Sequence, residues 1–198
     1  MQLIVISSPE RLGNEAALIN ALFDAGMKRF HLRKPSASAV ALGALLNGID
    51  RAYRSEVVLH QHHELAEHFG LWRKHYPEKL RLQQDRHESP PLGPGLSTSI
   101  HDLTKLPELG AYEYVFFGPV FNSISKPGYH SNLPPNFRLP ARPAAPAIIA
   151  LGGIDADYVH LARAMNFEGV AVLGAIWNKP EAACIQFRKI LSSINNDF

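Results

Sequence analysis

The chain has 198 residues, 46% of them apolar and 19% charged, with 20 Lys and Arg against 18 Asp and Glu. That balance excludes a disordered chain, and a net charge of +2 is too small for a broad nucleic-acid surface. No apolar run approaches the roughly 18 residues of a membrane span, and the lone Cys184 excludes an internal disulfide or a thiolate metal cluster. The expectation is one domain over 1–198 in the cytoplasm, because Leu3–Ile6 is too short for a secretory leader.

Strand and helix signals then alternate. Gln2–Ser7 is a β-rich run stopped by Pro9, and Asn14 is placed to cap a helix carrying Ala17, Leu18, Ala21, Leu22 and Ala25 at helical spacing. Arg29–Arg33 reads as the second strand and Ser36–Tyr53 as a helix; Val57–Leu59 is the third strand and Glu64–Phe69 a short helix ended by Gly70. The fourth strand is expected at Leu80–Gln83, before a Pro-Gly stretch from Pro90 to Gly95 that cannot hold a helix. Leu96–Ile100, Tyr114–Phe117, Ala147–Leu151 and Gly169–Leu173 complete eight strands. Helices are expected at Leu103–Leu109, Asp155–Met165 and Glu181–Ile194, with an irregular stretch from Asn122 to Pro146.

Continuous apolar strands alternating with helices favour a compact (β/α)8 TIM barrel, with an abbreviated fourth and an irregular sixth connection, over an open doubly wound sheet. No glycine fingerprint follows the first strand, which argues against a dinucleotide site. Chemistry in a barrel gathers behind the strand ends. These positions hold His31 and Arg33, His60 and Gln61, Gln83–Asp85, Ser99 and His101, Gly118–Lys126, Gly152–Gly153 and Gly174–Ala175. Small residues after strands seven and eight leave room for backbone to approach a phosphate.

His60, His62, His63 and His68 fall close together; on an extended stretch His60 and His62 could point the same way as a zinc or nickel pair, with His63 a poor third partner, and solvent-facing histidines are the simpler account. Phe69, Trp72, His75 and Tyr76 read as an aromatic patch on a helix and linker, and Tyr112 and Tyr114 as packing outside the barrel. Trp177 either caps the last helix or walls the pocket, and Asp155 reads as a helix cap.

Phe30-His31-Leu32-Arg33-Lys34, Ser99-Ile100-His101, the run from Phe116 to Gly128 (FFGPVFNSISKPG) and the two C-terminal glycine motifs together resemble the thiamine-phosphate synthase and thiazole tautomerase family. The resemblance covers nearly the whole chain. It implies a synthase joining a pyrimidine diphosphate to a thiazole phosphate with loss of pyrophosphate. Arg33 and Lys126 would then act on the phosphates, with Ser123 and Ser125 beside them. His31, Lys34, His60, Ser99 and His101 would line the substrate site, and Gly153, Gly174 and Ala175 would hold the thiazole phosphate. The resemblance also implies Mg2+, small phosphorylated partners and an oligomer, a homodimer in the simplest case.

Departures cluster at the metal. The family's glutamine before the arginine is His31 here, and a basic residue two places after it is Pro35. The Asn-Asp pair after strand three is His60-Gln61, leaving Gln61 as the candidate ligand; the second magnesium aspartate falls on Arg86, with Asp85 beside it. The tautomerase histidine after strand six is replaced by Pro119, which leaves His31, His60 or His101 as bases for a proton-transfer alternative. A binding-only member of the family is the other alternative.

Overall fold

The structure is a computed structural model that describes residues 1–84, 93–122, 133–134, 136–140 and 146–195. Eight parallel strands close into a barrel in sequence order: β1 (Gln2–Ile6), β2 (Phe30–Leu32), β3 (Val57–Leu59), β4 (Arg73–Tyr76), β5 (Leu96–Ile100), β6 (Tyr114–Phe117), β7 (Ala147–Leu151) and β8 (Gly169–Val172). Closure is made by β1 against β8, with Gln2 opposite Gly169 and Val5 opposite Val172. No helix among the described residues is long and apolar enough to cross a membrane.

The outer layer comprises α1 (Glu15–Asp24), α2 (Ala39–Gly48), α3 (Leu65–Phe69), α4 (Glu78–Gln84), α5 (Val159–Ala164), α6 (Gly174–Trp177) and α7 (Ala183–Asn195), joined by short 3-10 turns. Ile19 and Leu22 of α1, Leu42 and Leu46 of α2, and Phe187 and Ile190 of α7 bury against the outward faces of the strands in one apolar layer. Asn14 starts α1 but its side chain makes no capping bond, whereas Ser38 caps α2 by accepting from the Ala41 amide. The expected helix over Ser36–Tyr53 breaks at Gly48 for a tertiary reason. Asn20 of α1 donates to the Gly48 carbonyl at 3.0 Å and accepts from the Asp50 amide at 3.1 Å, diverting the chain into a 3-10 turn at Arg51–Glu56.

The fourth strand is the main correction. Leu80–Gln83 lies within α4, and the strand is the polar Arg73–Tyr76. Leu80 and Leu82 imitate strand alternation, while the real strand turns His75 into the barrel and Tyr76 into the outer apolar layer. Strands are recognised by apolar faces, and this one has an imidazole on its inner face. The sixth connection contains no helix among its described residues. Phe137 stacks on Phe117 and packs at a tilt against Phe167 instead, and the Leu139 amide donates to the Met165 carbonyl.

Candidate active site

Interior positions of a (β/α)8 barrel are ordinarily filled by branched apolar side chains. Here the interior divides. Ile4, Ile6, Phe116, Ile149 and Ala171 make one apolar sector with the ring of Tyr114. Across β2 to β6 the filling is His31, His60, His75, Ser97, Ser99 and the Tyr114 hydroxyl.

These groups satisfy one another. His31 Nε2 shares a hydrogen bond with the Tyr114 hydroxyl at 2.6 Å, and His31 Nδ1 shares one with His60 Nε2 at 2.8 Å. His75 stacks on His60 with ring centroids 4.1 Å apart and bonds the Ser97 and Ser99 hydroxyls through Nδ1 and Nε2, at 2.9 and 3.0 Å. A neutral imidazole has one donor and one acceptor nitrogen, so the Tyr114–His31–His60 chain is polarised in one of two directions. Burial holds all three histidines well below the ordinary imidazole range, reinforced by mutual repulsion and nearby arginines; His75 is pushed to about 3. All three are therefore neutral at pH 7. Burial also lifts the Tyr114 phenol to about 12.

Tyr114→Phe removes the one bond that His31 Nε2 makes among the described residues, at a fully buried position. We expect a loss of roughly 1–3 kcal/mol in urea unfolding; an unchanged midpoint would show that this nitrogen needs no partner.

The N-terminal end of the barrel is closed by ion pairs. Arg73 donates to Glu113 at 3.0 Å and to the Ser55 carbonyl, and Arg29 lies within 3.7 Å of Glu56 and 3.6 Å of Glu113. The opposite end is where the strand-end residues gather. Arg33 is half-buried there, its backbone pinned to the Ser7 hydroxyl, and its guanidinium has no hydrogen-bond or ion-pair partner among the described residues. Its charge adds to the burial that depresses His60 and His75.

Lys34 is engaged within the protein. Its ammonium meets Glu15 at 2.5 Å and the Glu10 carbonyl at 2.6 Å, so its charge is neutralised where the sequence suggests a substrate ligand. The Gln61 amide donates to the Lys34 carbonyl. Ser99 faces the barrel through His75, whereas His101 stands on the rim, largely exposed and paired with Glu78 at 2.7 Å. Glu78, directly behind the true fourth strand, is the carboxylate that the misplaced strand concealed. Asp85, Ser123, Ser125 and Lys126 lie outside the described residues.

The sixth and seventh strand ends are zipped together. The Val120 amide donates to the Leu151 carbonyl and the Phe121 amide to the Gly152 carbonyl, at 2.9 and 3.2 Å. Such an approach leaves no space for side chains: a Cβ on Gly118 would lie 2.1 Å from the Leu151 carbonyl oxygen, and one on Gly153, whose φ is +66°, 2.3 Å from the Asn122 carbonyl oxygen. Gly118→Ala must therefore push the two loops apart, and we expect a loss of about 3 kcal/mol or more in unfolding experiments. Wild-type stability in that variant would mean that the loops are not clamped. Gly174 and Ala175 begin α6, where helix geometry leaves the first amides without an acceptor inside the turn.

Magnesium requires hard oxygen ligands in octahedral array. Among the described residues at the expected position the donors are the His60 imidazole and the Gln61 amide, a set that does not fit this ion. The described residues bring together His31, His60 and His75 instead, with one ring nitrogen from each lying within 4.8 Å of the other two.

The sequence reading missed His75 and Tyr114. Tyr114 is inside the barrel rather than outside, and His75 is on a strand rather than in an aromatic linker. Tyr112 does pack in the outer layer. His62 lies between the Ala37 carbonyl and Glu64, apart from the cluster. Trp177 is buried and donates to the Ile6 carbonyl at 2.6 Å, packing edge-on to Phe30. Asp155 is not the expected helix cap: it accepts from the Asp157 amide at 2.9 Å in the turn before α5, whose N-cap position is Tyr158. The usable signal for the missed pair was alternation: His75 with Arg73, and Tyr114 with Phe116, share the inward register of Ser97 and Ser99.

The family profile described as thiamine monophosphate synthase matches residues 2–176. A thiamine-phosphate synthase of Salinibacter ruber is 36% identical over 109 residues, covering 54% of this chain and 47% of that protein, so the match spans about half the length of this curated relative. Thiamine phosphate pyrophosphorylase from Bacteroides thetaiotaomicron superposes with a TM-score of 0.75 at 25% identity over the whole of both chains. The Pyrococcus furiosus enzyme of that name gives 0.73 at 13% identity, covering 98% of this chain and 95% of its own, a likeness of fold. With the profile running from β1 into α6, across both clamped loops, the chain belongs to the thiamine monophosphate synthase family.

Proposed function

We propose that the protein is a transferase that couples hydroxymethylpyrimidine diphosphate to thiazole phosphate and releases pyrophosphate. The observation carrying this reading is the Arg33 guanidinium, without a partner among the described residues, at the barrel mouth that also presents the clamped Gly118–Phe121 and Leu151–Gly153 loops. A half-buried cation with no counter-ion among the described residues suits an anionic substrate, and a guanidinium can grip two phosphate oxygens at once.

In the proposed reaction, the bond from the pyrimidine methylene carbon to the diphosphate oxygen breaks, and its electron pair leaves with pyrophosphate. Arg33 and Lys126 stabilise that charge as it develops, with Ser123 and Ser125 beside the phosphates. The thiazole nitrogen lone pair then closes the new carbon–nitrogen bond, giving a thiazolium and consuming no proton or oxidant. Backbone amides of Gly153, Gly174 and Ala175 hold the thiazole phosphate. His31, His60 and Ser99 form the polar floor beneath the pyrimidine, and His101 the rim.

Purified protein incubated with both substrates and a divalent cation should form thiamine phosphate at a rate proportional to enzyme. Absence of product together with tight binding of thiazole phosphate would overturn the synthase and leave a binding protein. A second reading, proton transfer on a phosphorylated thiazole, is favoured by the hydrogen-bonded His31–His60 pair, whose neutral imidazoles can relay a proton. Its mark would be deuterium incorporation into thiazole phosphate from heavy water without the pyrimidine substrate.

A further inference from the structure

We propose that His31, His60 and His75 form a three-imidazole site for a late first-row divalent cation, such as Zn2+, Co2+ or Ni2+, inside the barrel. Three neutral imidazoles on three adjacent strands converge, one nitrogen from each within 4.8 Å of the others, and all three residues are buried. Such a set suits borderline metals and is foreign to Mg2+.

The surrounding hydrogen bonds are those that metal-ligating histidines use. Such a ligand donates its other ring N–H to a fixed acceptor, which sets the tautomer and the ring orientation. His31 can donate from Nε2 to the Tyr114 oxygen at 2.6 Å, leaving the Nδ1 lone pair free, and His75 can donate from Nδ1 to the Ser97 oxygen at 2.9 Å, leaving Nε2. The freed His31 Nδ1 then faces His60 Nε2 at 2.8 Å. Two nitrogens each about 2.0 Å from an ion and at right angles to it lie roughly 2.8 Å apart, against about 3.3 Å for a tetrahedral pair. The His31–His60 spacing therefore already matches a right-angled bite, and on metal binding the proton between the rings moves to His60 Nδ1, so that His60 Nε2 offers its lone pair while the ring stays neutral. To seat the third nitrogen, His75 must turn out of its stack on His60 and exchange its contact with Ser99 for the metal. His60 follows β3 directly, at the end of the barrel that carries the strand-end loops. With no carboxylate among the three ligands, the ion keeps its full charge toward the mouth, where the remaining coordination positions suit water or an anionic oxygen.

The test uses full-length, untagged protein stripped with chelator and re-equilibrated with Co2+, Zn2+ or Mg2+ singly. About one equivalent of Co2+ or Zn2+ should survive desalting and Mg2+ should not, and the Co2+ form should show visible d–d absorption. X-ray absorption of the wild-type Zn2+ form should show three imidazoles in the first shell, a count that requires no variant to fold. His75→Gln should weaken retention at least tenfold, while His68→Ala and His160→Ala, which replace exposed histidines away from the barrel interior, should leave it unchanged. The proposal is overturned by no retained metal, by a first shell with fewer than three imidazoles, or by loss of binding in the His68 or His160 variant. None of these readouts depends on turnover.

Discussion

Lowering the pH of the chelator-treated protein from 7 to 5 is expected to remove most of its folding stability. His31, His60 and His75 are neutral in the fold because burial penalises their charged forms, with His75 pushed to about 3. In the unfolded chain the same rings take up protons near pH 6.5. Below that value the unfolded state therefore binds more protons than the native state, and stability falls as pH falls. Each buried imidazole contributes about 1.4 kcal/mol per pH unit within this window. Three acting together approach roughly 4 kcal/mol per unit, which rivals the 5–15 kcal/mol that ordinarily separates folded from unfolded domains. Urea midpoints should be flat above pH 7 and fall steeply toward pH 5. A flat profile across pH 5–7 would mean that the cluster accepts protons in the native state, contrary to its burial.

Replacing Arg33 should give the opposite pattern, with large loss of function and little loss of stability. Its guanidinium meets no protein partner among the described residues, and its structural contribution is the backbone bond to Ser7, which a side-chain change leaves intact. Arg33→Ala is expected to lower kcat/KM for pyrophosphate release by about 100- to 1,000-fold, the usual effect of losing one preorganised charge-stabilising donor. The urea midpoint should move by about 0.5 kcal/mol at most, as for a surface substitution. Arg33→Lys should recover only part of the rate, because an ammonium cannot make the two-pronged contact. Wild-type turnover in Arg33→Ala would remove Arg33 from the reaction. A large stability loss instead would make it a structural residue.

The barrel was legible because most of its strands are short apolar runs, and Val57–Leu59, Leu96–Ile100, Tyr114–Phe117 and Ala147–Leu151 fall where their composition puts them. The fourth strand failed for the same reason. Strand signals come from apolar side chains, and Arg-Lys-His-Tyr has polar groups on both faces. Its misplacement hid the partner that His31 and His60 meet, and shifted attention from Glu78 to Asp85. The break of the second helix at Gly48 was equally hidden, since the group that stabilises it is Asn20, 28 residues earlier in the chain.

The chain's length and near-neutral charge, the order of its strands and its glycine loops follow from local sequence, because apolar alternation and small residues act over a few positions. A barrel in 198 residues is possible because α4 is short and no helix was found in the described part of the sixth connection. The convergence of His31, His60 and His75 is decided only by closure. These residues are 29 and 15 positions apart in sequence, and only the register of β2, β3 and β4 turns all three into one space. The physical reason is that strand alternation says a side chain lies on one face of the sheet, while curvature of the whole sheet determines which faces meet.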